Sequence, residues 1–281
     1  MLKKSLSFFI ILLLCSCSAH LREKSFIAQD KNVVDYSVQN LSAWQHQFSN
    51  DKLKKITLKD ENNSAILKGL FLDNPNTEEL IFLIQGNGMT VEKGGIAMLK
   101  TLSVLEKDIV IFDRRGLGAS SGKATIANLI TDIKSQYQYI KSTLKPKKII
   151  VHGYSLGSFI AAQLAKSSPI DALVLQGSAT NVDEWIDARM PWYSKLFVSI
   201  EVDEAFKTVD NKSIVMHDYT GPLLIIAGEK DQQAPAELGL SLFTASQSKN
   251  KQLIMVKGAD HSTMLDDVKQ INLYKQFLQR I

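Results

Sequence analysis

Eight short apolar runs recur along the chain, each about the length of a strand and rich in Ile, Val and Leu. They are Lys55 to Leu58, Ala65 to Leu72, Leu80 to Ile84, Ile109 to Phe112, Lys148 to His152, Ala172 to Leu175, Leu223 to Ile226 and Leu253 to Val256. Around them, apolar residues return at helical spacing over about 94–106, 125–143, 156–166, 236–246 and 267–279. Continuous apolar strands imply burial on both faces, and their alternation with helices implies parallel pairing. The pattern predicts a doubly wound, mostly parallel α/β sheet.

Two stretches break the alternation. Residues 17–50 are polar without a sustained period, a linker and leading segment in which Trp44 and Phe48 are possible tether points. Residues 181–220 form an insertion of about forty residues in a single domain, 51–281, longer than ordinary connections. It holds Trp185, Ile186, Met190, Trp192, Tyr193, Leu196, Phe197 and Ile200. Such apolar density suits a short helical cap over a hydrophobic pocket, and it suits simple packing on the sheet edge equally well.

The N-terminus stands apart from the fold. Lys3 and Lys4 precede an apolar stretch, Ser5 to Leu14, that is too short to span a bilayer, and Leu14-Cys15-Ser16-Cys17 follows. This ending resembles the bacterial lipobox. The resemblance implies that residues 1–16 are a lipoprotein signal peptide and that Cys17 becomes the lipidated first residue. With no Asp after Cys17, it further implies an outer-membrane address facing the periplasm. Removal of Lys3 and Lys4 lowers the formal charge from +4 to +2, and Cys15 leaves too, so no free thiol remains. A surplus so small and scattered gives no basis for a nucleic-acid surface.

The spacing G-x-S-x-G occurs twice, as Gly118-Ala119-Ser120-Ser121-Gly122 and as Gly153-Tyr154-Ser155-Leu156-Gly157. A serine on this motif is presented as a nucleophile only where a strand runs in and a helix runs out. Lys148 to His152 leads into the second copy and a helical pattern leaves it, whereas a polar, Gly-rich loop leads into the first. Ser155 is therefore the candidate nucleophile. It needs a base, and of five histidines only His261 follows a late strand. His152 lies within a strand, where a buried structural role fits better, and His217 lies inside the insertion. Asp231, on the loop after Leu223 to Gly228, is the better acid partner; Asp260 adjoins His261 and Glu229 is the fallback.

Gln85-Gly86-Asn87-Gly88, Asp113 to Gly122, His152 to Gly157, Gly228 to Pro235 and Gly258 to Ser262 resemble, in order, five signatures of the α/β-hydrolase superfamily. The likeness is nearest to its monoacylglycerol-lipase-like and serine-aminopeptidase-like branch and spans about residues 55–281. It implies an oxyanion hole from main-chain N–H groups at or near Asn87 and at Leu156. Where that branch usually has His before Gly-Asn, this chain has Gln85, which bears on how the loop is braced.

The resemblance implies a serine hydrolase acting on carboxylic esters or thioesters of small or lipid-like acyl compounds through an acyl-enzyme. A serine peptidase on the same fold and a non-catalytic, lipid-anchored binding protein are the alternatives. No cofactor or metal is implied. A P-loop would need Gly at Leu117 and Ser or Thr at Ala124, a dinucleotide fingerprint would need Gly or Ala at Val91, and no His-Glu-x-x-His or Cys cluster is present.

Overall fold

The computed structural model describes residues 17–59, 64–194 and 197–281. The expected signal segment 1–16 lies outside them, and no helix among the described residues is long and apolar enough to cross a membrane. The strands are β1 (Cys17–Leu21), β2 (Lys52–Lys59), β3 (Ile66–Asp73), β4 (Glu79–Ile84), β5 (Asp108–Phe112), β6 (Lys148–Tyr154), β7 (Ala172–Gln176), β8 (Val198–Val202), β9 (Leu223–Gly228) and β10 (Lys251–Val256). The helices are α1 (Glu23–Phe26), α2 (Val38–Gln45), α3 (Gly95–Ser103), α4 (Ile126–Tyr139), α5 (Leu156–Ser167), α6 (Val182–Arg189), α7 (Glu204–Lys207), α8 (Asn211–Ser213), α9 (Ala236–Ala245) and α10 (Val268–Leu278).

Eight strands form the main sheet in the order β10-β9-β7-β6-β4-β5-β3-β2. Only β3 runs against the others, pairing antiparallel with both β2 and β5. All eight apolar runs are strands of this sheet, and the five expected helices are α3, α4, α5, α9 and α10. Side chains alternate across the sheet as a pleat requires. Phe82, Val110 and Val151 face a core shared with Ile133 and Tyr137 of α4 and with Ile160 and Leu164 of α5. Their neighbours Ile81, Ile109 and Ile150 face a second core with Leu99 of α3 and Tyr274 and Phe277 of α10. Both faces are thus dry, which is why the strands read as unbroken apolar runs.

Local chemistry sets the helix ends. Thr125 caps α4 by accepting a hydrogen bond from the Asn128 N–H (3.1 Å). The same helix loosens into a π-helical turn, Ile140–Leu144, and stops at Lys145, whose φ of 53° is left-handed, ahead of Pro146.

Residues 17–50, expected to be linker and leading segment, carry β1, α1 and α2. Trp44 and Phe48 are buried against the second core, as tether points would be. β1 pairs in parallel with β8 of the insertion, Cys17 opposite Val198 through Leu21 opposite Val202. The insertion itself contains α6, β8, α7 and α8. Trp185 and Phe206 of the insertion and Leu21 and Phe26 of the leading segment line one cavity with Ser155 at the end of β6.

Candidate active site

The chain leaves β6 and enters α5 through one residue, Ser155, held at φ 55° and ψ −122°. A non-glycine side chain is strained there, and the strain is affordable only because the surroundings fix it. Those surroundings require the flanking glycines. A Cβ on Gly153 would lie 2.5 Å from Ser158 Cα, and one on Gly157 would lie 2.2 Å from the Ile84 carbonyl oxygen of β4. Helix and strand meet backbone to backbone, so the turn is sharp and Ser155 projects from its crest, only part-buried.

Ser155 Oγ lies 2.9 Å from His261 Nε2, and His261 Nδ1 lies 2.7 Å from Asp231 Oδ2. The three residues come from the ends of β6, β9 and β10, whose parallel pairing brings their carboxyl ends together. Asp231 is buried, and its other oxygen accepts from the Gln233 and Ala234 N–H groups at 2.8 and 2.9 Å. With the carboxylate so fixed, Nδ1 carries the proton and Nε2 is left to accept from the serine hydroxyl.

The alternatives to Asp231 have other tasks. Asp260 turns back on its own loop, accepting from the Ser262 and Thr263 N–H groups at 2.9 and 3.1 Å; these bonds hold its carboxyl below its usual range. Glu229 accepts from the Gly258 N–H (2.7 Å) and ties the two loops together. His217 is exposed. His152 is fully buried between Gln176 Oε1 (3.0 Å from Nε2) and the Tyr274 hydroxyl (3.3 Å from Nδ1). Burial draws its imidazole down to about 4, against the opposing bond to Gln176, and keeps it neutral.

Around this line lie features that sequence reasoning did not find. A Cβ on Gly177, at φ 56°, would come within 2.9 Å of His261 Cε1, so the glycine clears space for the ring. Tyr154 lies tilted against the imidazole with centroids 5.2 Å apart and donates from its hydroxyl to the His261 carbonyl (3.1 Å). Burial raises its phenol to about 12, so it remains a donor at neutral pH. A Gly after β7 and an aromatic before the serine were the available signals, but neither points to a histidine 107 residues away.

The loop after β4 passes beside Ser155, where a Cβ on Gly86 would lie 3.2 Å from Ser155 Cβ. Asn87 follows it, and Leu156 opens α5, so the two residues expected to supply the oxyanion hole come from separate elements and line one cavity with Ser155. The Asn87 side chain faces the leading segment: Nδ2 donates to the Phe26 carbonyl (2.7 Å), and Oδ1 accepts from the Ala28 N–H (2.8 Å) and from Arg114 Nη2 (3.3 Å). Arg114 is buried, and desolvation lowers its guanidinium to about 10 in spite of nearby Asp113. Gln85 is buried too; with its amide oriented to suit its neighbours, it donates to the Phe112 and Met89 carbonyls at 3.0 and 3.2 Å, which braces the loop.

Ser155, Asn87 and His261 open into a cavity of about 230 Å³ whose remaining lining is chiefly apolar, including Phe159 and Ile160 of α5 and Trp185 and Phe206 of the insertion. A larger open groove of about 790 Å³ lies at the opposite end of the sheet, near Glu79 and Lys148, where β4 and β6 begin. Ligands of open α/β sheets bind at the carboxyl ends of the strands, which favours the smaller cavity. Among the described residues, no cluster of three or more His, Cys, Asp or Glu side chains could hold a metal ion.

The other serine of the repeated spacing is a structural residue. Ser120 is fully buried, donates to the Asp113 carbonyl (2.7 Å) and accepts from the Lys68 N–H (2.9 Å).

Comparison with known proteins agrees with this architecture. A family model described as the alpha/beta hydrolase fold matches residues 79–200. The chain is 28% identical over 192 residues to lysophosphatidylserine lipase ABHD12 of Danio rerio, covering 62% of this chain and 49% of that protein. It is 27% identical over 210 residues to human alpha/beta hydrolase domain-containing protein 17B, covering 74% of this chain and 66% of that one. It therefore spans about half to two thirds of the length of these relatives. Among solved structures, the Pyrococcus furiosus esterase Pf2001 superposes with a TM-score of 0.69 at 19% identity, over 90% of this chain and 99% of the esterase. A parallel sheet with one reversed strand, helices on both faces and a strand-to-helix serine turn together give this chain the α/β-hydrolase fold.

Proposed function

We propose that the protein is a serine hydrolase that cleaves carboxylic esters or thioesters of small or lipid-like acyl compounds. The observation that carries this reading is the line from Ser155 Oγ to His261 Nε2 at 2.9 Å and from His261 Nδ1 to Asp231 Oδ2 at 2.7 Å. Ser155 attacks the carbonyl carbon as its proton passes to His261 Nε2, and Asp231 stabilises the imidazolium that results. The carbonyl oxygen gains the charge and is received by the Asn87 and Leu156 N–H groups, the latter at the positive end of α5. Collapse expels the alcohol or thiol, protonated by His261, and leaves an acyl group on Ser155. Water then attacks that ester by the same steps in reverse roles, releasing the acid and restoring the serine.

The apolar cavity supports an acyl rather than a peptide substrate, as do relatives named for lipase and esterase activity. Its volume, below the usual range for drug-sized ligands, favours short to medium acyl groups. The proposal extends to location: Cys17, behind Leu14-Cys15-Ser16, is the lipidated residue that tethers the protein to the cell envelope. A fluorophosphonate probe should label the wild type at Ser155 and leave Ser155→Ala unlabelled, while an ester panel set beside aminoacyl amides should be cleaved in preference to the amides. Amide cleavage outpacing ester cleavage would make it a peptidase; no labelling and no turnover would leave a binding protein. Cys17→Ser should move the protein from the membrane to the soluble fraction, and unchanged retention would refute the anchor.

A further inference from the structure

The cavity over Ser155 has two covering pieces from distant parts of the chain. The insertion supplies Trp185 and Phe206, and the leading segment supplies Leu21 and Phe26. The leading segment is fastened along its length. β1 pairs with β8; His20 Nε2 lies 2.7 Å from Asp203 Oδ1; the Glu23 N–H donates to Asp203 Oδ2 at 2.8 Å. Beyond the cavity, Asp30 Oδ2 accepts from the Gly118 N–H (2.8 Å), and the Tyr36 hydroxyl donates to Asp113 Oδ2 (2.8 Å).

Phe26 stands at the centre of this strap. Its ring meets Phe206 and Trp185 edge to face, with centroids 5.4 and 5.9 Å apart. Its carbonyl is held by the side chain of Asn87, which lines the same cavity as Ser155. A wall pinned both to the cap and to the loop beside the reacting carbonyl has a fixed distance from the scissile bond. Pre-organised walls of this kind discriminate substrates, because one methylene in an apolar pocket changes transition-state binding by a factor of about 10–200.

We propose that the leading segment, through Phe26, is the specificity-determining wall that sets the length of acyl group this site accepts. The inference rests on the acyl-hydrolase reading and deepens it. A segment that spacing and polarity mark as a linker thereby becomes part of the substrate site, and Asn87 serves it twice: as a donor toward the substrate and as the clip that positions the wall.

The test is a chain-length profile, with p-nitrophenyl esters from acetate to laurate, for wild type, Phe26→Ala, Phe26→Leu, Phe26→Trp and Lys24→Ala. Lys24 is exposed on the same segment and outside the cavity lining, so Lys24→Ala should reproduce the wild-type profile. Phe26→Ala should raise the long-to-short ratio of kcat/KM by about tenfold or more, with Phe26→Leu between it and wild type, and Phe26→Trp should move the ratio the opposite way. The same series in a Ser155→Ala background, read by displacement of a fluorescent fatty acid with acids of graded length, should show the same order without turnover. Variants that fold, as judged by circular dichroism and melting temperature, yet keep the wild-type ratio within twofold in both assays would overturn the inference. A wild type inert to every ester would remove the hydrolase reading, while the displacement series would still decide the wall.

Discussion

Two segments of this molecule share the spacing G-x-S-x-G and almost nothing else. At Gly153 to Gly157 the serine has a left-handed φ of 55°, is part-buried and meets a histidine; at Gly118 to Gly122 the serine is fully buried and bonded to main chain on both sides. In the first segment the glycines let α5 lie directly on β4. In the second, Gly118 makes room for the buried carboxylate of Asp113, whose oxygen a Cβ there would approach to 2.3 Å. That carboxylate gathers the Val91 and Ala119 N–H groups and the Tyr36 hydroxyl, and desolvation still holds it above its usual range. One spacing therefore serves two backbone problems, presenting a side chain in one place and folding a loop around a carboxylate in the other. The identity of a site lies in what precedes and follows the motif.

The contrast is most severely tested by exchanging the serines' fates. Ser155→Ala and His261→Ala should each reduce turnover by about 10⁴-fold or more, and the double variant should be little worse than either, because such residues act as a unit. Nearly additive losses in steady-state kinetics would break the contrast at its centre. Asp231→Asn should cost about 10³- to 10⁴-fold, while Asp260→Asn, confined to its own turn, should stay within about threefold; the reverse ranking would mean that the wrong carboxylate orients the imidazole.

The closing glycines sharpen the comparison through stability. Gly157→Ala puts a methyl 2.2 Å from a β4 carbonyl that cannot move aside, and should cost more than about 3 kcal/mol in a denaturant titration. Gly122→Ala meets side-chain atoms at 3.0 Å with φ at 91°, and should cost about 1–3 kcal/mol. His152, just ahead of the active turn, adds a pH term. Its folded pKa, about 4, is depressed below the unfolded value of about 6.5. Its contribution is therefore complete above pH 6.5 and is lost as pH falls toward 4, because only the unfolded chain takes up the proton. The loss is of order 2–3 kcal/mol and should be absent from the unfolding free energy of His152→Gln. Smallest of all, Ser120→Ala should leave turnover within about twofold and lower stability by about 1–2 kcal/mol, the cost of depriving the part-buried Lys68 N–H and the buried Asp113 carbonyl of their hydroxyl partner.

Much of this was readable in the sequence because its causes are local or combinatorial. Unbroken apolar runs mark strands covered on both faces, and all eight became the main sheet. Only five histidines exist, so asking which one follows a late strand leaves His261, which does meet Ser155. The unread parts depend on meetings across the chain. β8 has a shallow pattern of half-buried and exposed positions, and its partner β1 lies far away in sequence, so no window of local periodicity reveals either. Phe26 sits in a polar stretch and acquires its role only through rings from the insertion and the Asn87 side chain. Gly177 resembles any turn glycine until His261 arrives against it.

The pairing of β1 with β8 also imposes an order on assembly. β1 precedes β8 in the chain, and Asp203, which His20 meets at the end of that pairing, lies 183 residues beyond it. A contact of such separation carries a loop-closure cost that is recovered only once both ends are ordered, so it forms late. Until then the roof of the cavity is incomplete and the strand beginning at Cys17 is an unpaired edge. Leu21 and Phe26 therefore take their places over Ser155 only at the end of folding, and the site is the last part of the molecule to be completed.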